Sequence, residues 1–193
     1  MKNVGIIGAS GFTGAELMRL CAGHPDLTVT VAAADSMAGT SVADLYPSLA
    51  AHYGAMTYAP TDLALFADCD VVFLGLPHGA SQALVPQLRS LKVPLIDLGA
   101  DYRLTDPALY PLWYGEAHAN SELLDQAVYG LPELFRESLH GADLIAVPGC
   151  FPTSASLALA PFVKAGLIET TGIIVDAATG VSGAGREIGR AHV

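Results

Sequence analysis

The feature that most constrains the fold lies near the amino terminus, where three glycines recur every third residue. They are Gly8, Gly11 and Gly14 of the segment GASGFTG. A short apolar run, residues 4–8, leads into the segment, and residues 12–22 have the periodicity of an amphipathic helix. Glycines between a strand and a helix allow a tight turn, a close backbone approach to a pyrophosphate and close packing of helix on sheet. The pattern therefore predicts a strand-turn-helix unit whose helix N-terminus binds phosphate groups.

A glycine pattern is a weak signal by itself, and the alternative is a glycine-rich turn that binds no ligand. The spacing here is G-x-x-G-x-x-G, whereas G-x-G-x-x-G is commoner. The position of the segment at the start of an alternating chain favours a dinucleotide site. The predicted phosphate-loop residues are Gly8, Ser10, Gly11, Phe12, Thr13 and Gly14.

Further along the chain, apolar runs of strand length alternate with helical patterns. Runs that are apolar on both faces are typical of parallel strands covered by helices on each side. The predicted strands are residues 4–8, 27–34, 70–76, 93–98 and 143–147, and the predicted helices are residues 12–22, 81–91 and 153–165. The sequence thus predicts an α/β fold, with a Rossmann-type parallel sheet in a domain of residues 1–149. Residues 173–178 predict a further strand that opens a second domain.

The stretch between residues 99 and 141 lacks this regularity. It holds four of the seven tyrosines and the single tryptophan, Trp113. A connection of this length in a compact protein is usually functional or contains structure that the pattern does not reveal.

Composition narrows the function classes. The chain of 193 residues is 52% hydrophobic and 15% charged, so it can bury a large core, and its formal net charge is −10. Nucleic acids and anionic membranes attract clusters of Lys and Arg, so neither is an expected partner. The three cysteines are too few and too scattered for a disulfide framework or a zinc site, and no apolar run has the length of a membrane span. We expect a cytoplasmic protein.

The identity of the dinucleotide stays open at this level. Asp35 follows the second predicted strand, where an acidic residue often binds the ribose 2′-hydroxyl of NAD. No Lys or Arg occurs between Arg19 and Arg89 to take the extra phosphate of NADP. Hydroxyl groups nearby, with Ser36 first among them, offer hydrogen bonds to that phosphate instead.

Cys150 stands at a predicted strand-to-helix junction, in the segment VPGCFPTS. Pro152 suits a first helical turn, where its missing N–H has no cost. The positive end of a helix dipole favours a thiolate over a thiol, which is what a nucleophile needs. The alternative is a buried structural cysteine. Cys21 and Cys69 lie on an apolar helix face and at a strand edge, and we assign both to packing.

Several segments, taken in order, resemble the N-acetyl-γ-glutamyl-phosphate reductase family of arginine biosynthesis. They are residues 8–17 (GASGFTGAEL), 70–78 (DVVFLGLPH), 97–104 (DLGADYRL), 129–133 (YGLPE), 148–153 (PGCFPT) and 180–186 (GVSGAGR). The resemblance implies a Rossmann domain followed by an α+β catalytic and dimerisation domain, NADP(H) as cofactor, and Cys150 as nucleophile. It also implies an acyl-phosphate substrate, which Cys150 would convert to a thioester before hydride transfer releases N-acetylglutamate semialdehyde.

Other residues match the family with less specificity. Pro77 and His78 end a strand and are expected to contact the cofactor, although a surface-loop histidine is the alternative. Arg103 and Arg186 are candidates for binding the carboxylate or phosphate of the substrate, because Arg forms bidentate pairs with both groups. A structural ion pair is the alternative for each.

The family chain continues beyond this sequence and supplies a catalytic histidine. We therefore expect an incomplete second domain over residues 150–186, within an enzyme that forms homo-oligomers when complete. Residues 187–193 (EIGRAHV) are expected to be a non-native tail, and His192 is left out of functional reasoning. The alternatives are a related aminoadipyl- or aspartyl-phosphate reductase, or a dinucleotide-binding module without catalysis.

Overall fold

The computed structural model describes residues 1–185, and in that part of the chain six strands form one parallel sheet. The order across the sheet is β2-β1-β3-β4-β6-β5. The strands are β1 (Lys2–Ile7), β2 (Leu27–Ala33), β3 (Val71–Leu74), β4 (Leu95–Asp97), β5 (Val128–Tyr129) and β6 (Leu144–Ala146). The predicted α/β fold with a Rossmann-type sheet is confirmed.

Helices connect the strands and cover the sheet. Within residues 1–185 they are α1 (Phe12–Ala22), α2 (Val42–Leu45), α3 (Ala50–Tyr53), α4 (Ala80–Leu88), α5 (Leu109–Tyr114), α6 (Pro132–Leu139) and α7 (Cys150–Lys164). Short 3₁₀ turns lie at Asp35–Met37, Pro47–Leu49, Leu63–Phe66, Arg89–Leu91, Ser121–Gln126 and Val181–Ala184. No helix in this described part has the length and apolar character needed to cross a membrane.

The core lies on both faces of the sheet. Successive strand residues point to opposite faces, so the neighbours Ile6 and Ile7 enter different clusters. Ile6 packs in the cluster that contains Met18 of α1, while Ile7 packs in the cluster that contains Val85 of α4. Burial on both faces is the reason that these strands read as continuous apolar runs.

The strand order creates a switch point between β1 and β3. The chain leaves β1 for β2 on one side and later returns to β3 on the other side. Connections that depart in opposite directions leave a crevice at the carboxyl ends of such strands, and ligands of open α/β sheets bind there. Since every pairing is parallel, the loops after β1, β3, β4, β6 and β5 follow one another along a single edge.

One sequence expectation is confirmed in detail and another is wrong. The irregular stretch from residue 99 to residue 141 contains α5, β5 and α6, and β5 has only two residues, too few to show an alternating pattern. The strand predicted over residues 173–178 is absent from the described structure. A strand forms by pairing with a neighbour, and this segment is exposed, with Ile174 at 92%.

Candidate active site

The glycine loop follows β1 at the switch point and packs against the loop that follows β3. Gly8 has φ +80°, and a Cβ there would lie 2.3 Å from the carbonyl oxygen of Gly75. The Gly75 amide in turn donates to Ile7 O at 2.8 Å. At Gly14 a Cβ would meet Gly8 O and Ala9 Cα at 2.5 Å. Gly8 and Gly14 are therefore required by the packing of the protein itself.

Gly11 differs from the other two glycines. Its φ is −72°, and a Cβ there would come no closer than 3.4 Å, to Gly8 O. Gly11 is the N-cap of α1, and no side chain in the described part caps this helix. The following residues Phe12 and Thr13 are exposed. The uncapped N-terminus leaves backbone N–H groups and the positive end of the dipole at the switch point, as a phosphate site requires.

The far side of the glycine loop is held by a tyrosine. The hydroxyl of Tyr46, which follows α2, donates to Ser10 O at 2.8 Å. This bond links the glycine loop to the segment between β2 and β3. The periodicity of the sequence could not predict this contact.

The loop after β3 contains Pro77 and His78, both exposed in part. His78 Nδ1 lies 2.7 Å from Asp101 Oδ1, and the His78 ring stacks on Tyr114 with centroids 4.6 Å apart. Nε2, on the other side of the ring, has no hydrogen-bond partner among the described residues. His78 is thus neither a loose surface residue nor a buried one, because one ring edge is anchored and 31% of the side chain remains exposed.

Asp101 is the anchor of this region, and sequence reasoning did not single it out. Its side chain is fully buried. Besides His78, it accepts hydrogen bonds from the amides of Gly79 at 2.7 Å and Gln82 at 3.2 Å, at the start of α4. Its backbone carbonyl accepts from Tyr110 and His118. The sequence pointed to Asp101 only through the segment DLGADYRL, which resembles the reductase family but suggests no role for this carboxyl group.

A second buried carboxyl, Asp97, ends β4 at the same edge. Burial raises its pKa to about 6, although hydrogen bonds from Ser81 Oγ and the Gly99 amide, at 2.8 and 2.9 Å, oppose the shift. The nearby Asp101 raises this pKa further, and Arg103 lowers it. Oδ2 of Asp97 is buried and has no hydrogen-bond partner within residues 1–185.

The end of β2 carries the two candidates for contact with the adenosine ribose. Asp35 and Ser36 are both exposed, in the 3₁₀ turn Asp35–Met37. Asp35 Oδ1 accepts a hydrogen bond from the Thr61 amide at 2.6 Å, which occupies one of its two oxygens. The Ser36 hydroxyl has no such contact in the described structure.

Cys150 is the first residue of α7, directly after the N-cap Gly149. Its thiol is exposed, whereas those of Cys21 and Cys69 are buried. Burial raises the pKa of both Cys21 and Cys69. The structure thus places one exposed cysteine at a helix N-terminus and buries the other two.

Arg103 lies beside this junction and forms no ion pair in the described structure. Nε donates to Val147 O at 2.7 Å, and Nη2 donates to Leu98 O at 2.8 Å. A Cβ at Gly149 would lie 3.2 Å from Nη1. Within residues 1–185 the partners of Arg103 are therefore backbone carbonyls and not a carboxylate. Arg186, the other candidate anion-binding residue, lies outside the described residues.

The structure thus brings the glycine loop, the His78 loop, Asp97, Arg103 and Cys150 to one edge of the sheet. Three steps of about 4.8 Å separate β1 from β6, so the glycine loop and Cys150 lie on the order of 14 Å apart along that edge. Among the described residues, no group of His, Cys, Asp and Glu side chains is arranged to hold a metal ion.

Comparisons with known proteins agree with this architecture. The family model described as semialdehyde dehydrogenase, NAD binding domain, matches residues 3–142, and that described as semialdehyde dehydrogenase, dimerisation domain, matches residues 150–192. Among solved structures, an aspartate semialdehyde dehydrogenase with NADP from Candida albicans has a TM-score of 0.59 at 18% identity, covering 85% of this chain and 47% of that chain. One from Vibrio cholerae has a TM-score of 0.58 at 16% identity, covering 86% and 47%. At such identities the likeness shows the fold alone.

Curated relatives are much closer in sequence. N-acetyl-γ-glutamyl-phosphate reductases of Pseudomonas syringae and Azotobacter vinelandii are each 47% identical over 186 residues, and that of Pseudomonas aeruginosa is 48% identical over the same length. Each alignment covers 96% of this chain and 54% of the relative, so the chain spans about half the length of these relatives. The resemblance seen in the sequence motifs is confirmed. Since a family model covers more than half of its residues, the chain belongs to the semialdehyde dehydrogenase family.

Proposed function

We propose that this chain forms the dinucleotide-binding domain and the nucleophile-bearing junction of an NADPH-dependent N-acetyl-γ-glutamyl-phosphate reductase. The observation that carries the proposal is the exposed thiol of Cys150 at the start of α7, on the same sheet edge as the uncapped glycine loop. A nucleophile and a phosphate-binding helix N-terminus at one edge suit an enzyme that joins a dinucleotide to a covalently held substrate.

The substrate assignment depends on sequence similarity. Relatives at 47–48% identity bear the name of this reductase, whereas the aspartate enzymes resemble the chain at 16–18% identity. The alternative aspartyl-phosphate substrate is therefore less well supported.

The residues at the switch point fit a dinucleotide. The N-terminus of α1 has no side-chain cap, and Gly11 leaves its outer face open for a phosphate group. Ser10, Phe12 and Thr13 complete that loop, while Pro77 and His78 form the neighbouring wall at the end of β3. For the 2′-phosphate of NADP, the exposed hydroxyl of Ser36 is the nearest candidate donor after β2.

The proposed chemistry begins with the thiolate of Cys150, which attacks the carbonyl carbon of the acyl phosphate. The C–O bond to phosphate breaks, the phosphate takes up the proton that the thiol released, and a thioester remains on Sγ. NADPH, when bound, supplies a hydride to the thioester carbonyl. The resulting thiohemiacetal alkoxide re-forms its C=O bond as the C–S bond breaks, the electron pair returns to sulfur as thiolate, and the semialdehyde leaves. The positive end of the α7 dipole favours the negative charge that develops on the carbonyl oxygen.

Two further roles belong to this proposal. Arg103 keeps Nη1 beside Gly149, where it would meet an anionic group of the substrate, and Arg186 is the second candidate for such a group. The match of residues 150–192 to a dimerisation domain supports a homo-oligomer for the whole protein.

Trapping the acyl group tests the proposal. The chain is mixed with N-acetyl-γ-glutamyl phosphate without NADPH, and its intact mass is measured after rapid quenching. We expect a mass increase of one N-acetylglutamyl group, mapped to the peptide of Cys150. The increase should vanish in Cys150→Ala and persist in the matched variant Cys21→Ala. Acylation of Cys150→Ala to the same extent would overturn the assignment of the nucleophile.

A further inference from the structure

The junction that carries Cys150 is held on both sides by groups from neighbouring loops. On one side the amide of Gly130, just after β5, donates to Ala146 O at 2.8 Å. On the other side the Val147 amide donates to Asp97 O at 2.8 Å. These bonds continue the ladder of the sheet up to the last residue before Pro148.

The ladder of backbone hydrogen bonds ends at Val147, and the side chain of Arg103 makes the next contacts between β6 and β4. Its Nε–H donates to Val147 O, and its Nη2–H donates to Leu98 O, the carbonyl just after β4. A guanidinium has its N–H groups in a rigid plane, so one side chain that binds two carbonyls sets the distance between them. Arg103 thereby fixes the exit of β6 relative to the exit of β4.

Gly149 makes this arrangement possible. A Cβ at this position would come within 3.2 Å of Nη1 and 3.8 Å of Cζ of Arg103. The guanidinium therefore packs directly under the peptide that precedes Cys150. Gly149 O is also the acceptor for the amide and hydroxyl of Thr153, which close the first turn of α7.

The Arg103 cation lowers the pKa of the nearby Asp97 carboxyl but forms no ion pair with it in residues 1–185. Arg103 has no carboxylate partner within the described residues, and its charge lies beside the positive end of the α7 dipole, which disfavours a cation. Two strong hydrogen bonds to carbonyls offset that repulsion. Arg103 is thus held at the junction by the two carbonyls that it joins.

Building on the proposed function, we propose that Arg103 is a positioning residue for Cys150, acting through the carbonyls of Val147 and Leu98. This role is separate from binding the substrate anion, which would use Nη1 alone. Positioning predicts an effect on every reaction of the Cys150 thiol, including reactions with uncharged reagents. Anion binding predicts an effect on the affinity for acyl phosphate only.

The experiment compares Arg103→Ala and Arg103→Lys with the matched variant Arg136→Ala, in which the replaced side chain is exposed on α6. Each 193-residue chain is treated with iodoacetamide, which carries no charge, and the labelling rate of Cys150 is followed by peptide mass spectrometry. Acylation by N-acetyl-γ-glutamyl phosphate is then measured as a function of its concentration. Thermal unfolding of each variant confirms that it is folded.

Positioning predicts that Arg103→Ala slows both alkylation and the maximal acylation rate by about tenfold, with less than a twofold change in the half-saturating concentration. Arg103→Lys, which reaches only one carbonyl, should recover less than half of the lost rate, and Arg136→Ala should match the parent chain. An unchanged alkylation rate in folded Arg103→Ala or Arg103→Lys, with a raised half-saturating concentration, would show anion binding only and overturn the inference. If the parent chain alkylates at Cys150 but is not acylated there, the proposed function fails while the positioning role is still decided by alkylation.

Discussion

His78 Nδ1 lies 2.7 Å from Oδ1 of Asp101, a carboxylate with no exposed surface. The same carboxylate accepts the amides at the start of α4, so one side chain orients both the imidazole and the helix. The loop after β3 is therefore shaped by a residue that follows β4. A buried carboxylate is tolerated here because three N–H groups solvate it in place of water.

Asp101→Asn should destabilise the chain. The asparagine side chain keeps one oxygen that can accept a hydrogen bond, but its NH₂ group replaces the other oxygen. Either the backbone amide of Gln82, or the Gly79 amide and the His78 ring, then lose their acceptor. We expect a loss of about 2 kcal/mol in the free energy of unfolding. Urea unfolding followed by circular dichroism measures it, with Asp125→Asn on an exposed 3₁₀ turn as the control. Equal stability of the two variants would contradict the role given to Asp101.

Asp97 predicts an unusual dependence of stability on pH. Burial raises its pKa from the ordinary value of 3.8 to about 6 in the folded chain, so the folded state binds a proton more tightly than the unfolded state. This group therefore adds stability as the pH falls from 6 towards 4, and lowers stability by about 3 kcal/mol above pH 6, where it must ionise while buried.

Asp97→Asn should isolate this effect, because an amide keeps an acceptor for Ser81 and Gly99 and cannot ionise. At pH 8 the variant should be more stable than the parent chain by up to about 3 kcal/mol, and the difference should shrink towards zero near pH 4. Urea unfolding at a series of pH values measures the difference in the free energy of unfolding between the variant and the parent chain. Carboxyl groups far from Asp97 contribute equally to both chains and drop out of this difference. A variant that is less stable than the parent at pH 8 would show that the ionised carboxylate is needed.

The glycines of the phosphate loop should separate into two classes. Gly14→Ala places a methyl group 2.5 Å from the backbone of the loop, so we expect a loss of several kcal/mol and no binding of NADPH. Gly11→Ala has room on the protein side and should change stability by less than about 1 kcal/mol, while weakening NADPH binding at least about tenfold. Thermal unfolding and fluorescence titration measure the two quantities. Normal NADPH affinity in Gly11→Ala would place the phosphates elsewhere.

The three cysteines should react at different rates with iodoacetamide. Cys150 is exposed, whereas Cys21 and Cys69 keep 5% and 6% of their surface and have raised pKa values. We expect Cys150 to be labelled at least about tenfold faster near neutral pH. Labelling of all three at one rate in urea serves as the control, since unfolding removes the burial. Comparable rates in the folded chain would contradict the assignment of Cys21 and Cys69 to packing.

The segment after α7 should limit solubility. Leu167 and Ile174 are 70% and 92% exposed, within a run of other exposed apolar side chains. Exposed apolar patches favour association. Replacing both residues by Lys, or ending the chain at Gly149, should raise the soluble yield and reduce light scattering at equal concentration, while NADPH binding by the glycine loop is kept. Unchanged scattering in both forms would place the cause of association in residues 1–149.

Much of this architecture follows from local patterns in the sequence. The glycine spacing, the apolar strands and the helix that begins at residue 12 depend on interactions between residues a few positions apart, and the periodicity of side chains reports them directly. The position of Cys150 at the start of a helix follows from the same kind of local pattern. Local patterns did not predict the strands correctly where pairing with a neighbouring strand decides whether a segment becomes a strand. The two-residue strand β5 exists because β6 lies beside it, and the Gly130 amide continues that pairing by donating to Ala146 O. Residues 173–178 form no strand, and no strand of the described residues lies beside them.

Local sequence patterns were enough to predict the α/β class, the glycine loop between β1 and α1, and a cysteine next to a helix N-terminus. The side chains that contact these features come from distant parts of the chain, and tertiary packing brings them there. Arg103 meets Val147 across 44 residues, and His78 meets Asp101, because the strand order brings the exits of β3, β4 and β6 to one edge. Strand order depends on the packing of whole helices across the sheet, and no local periodicity encodes it.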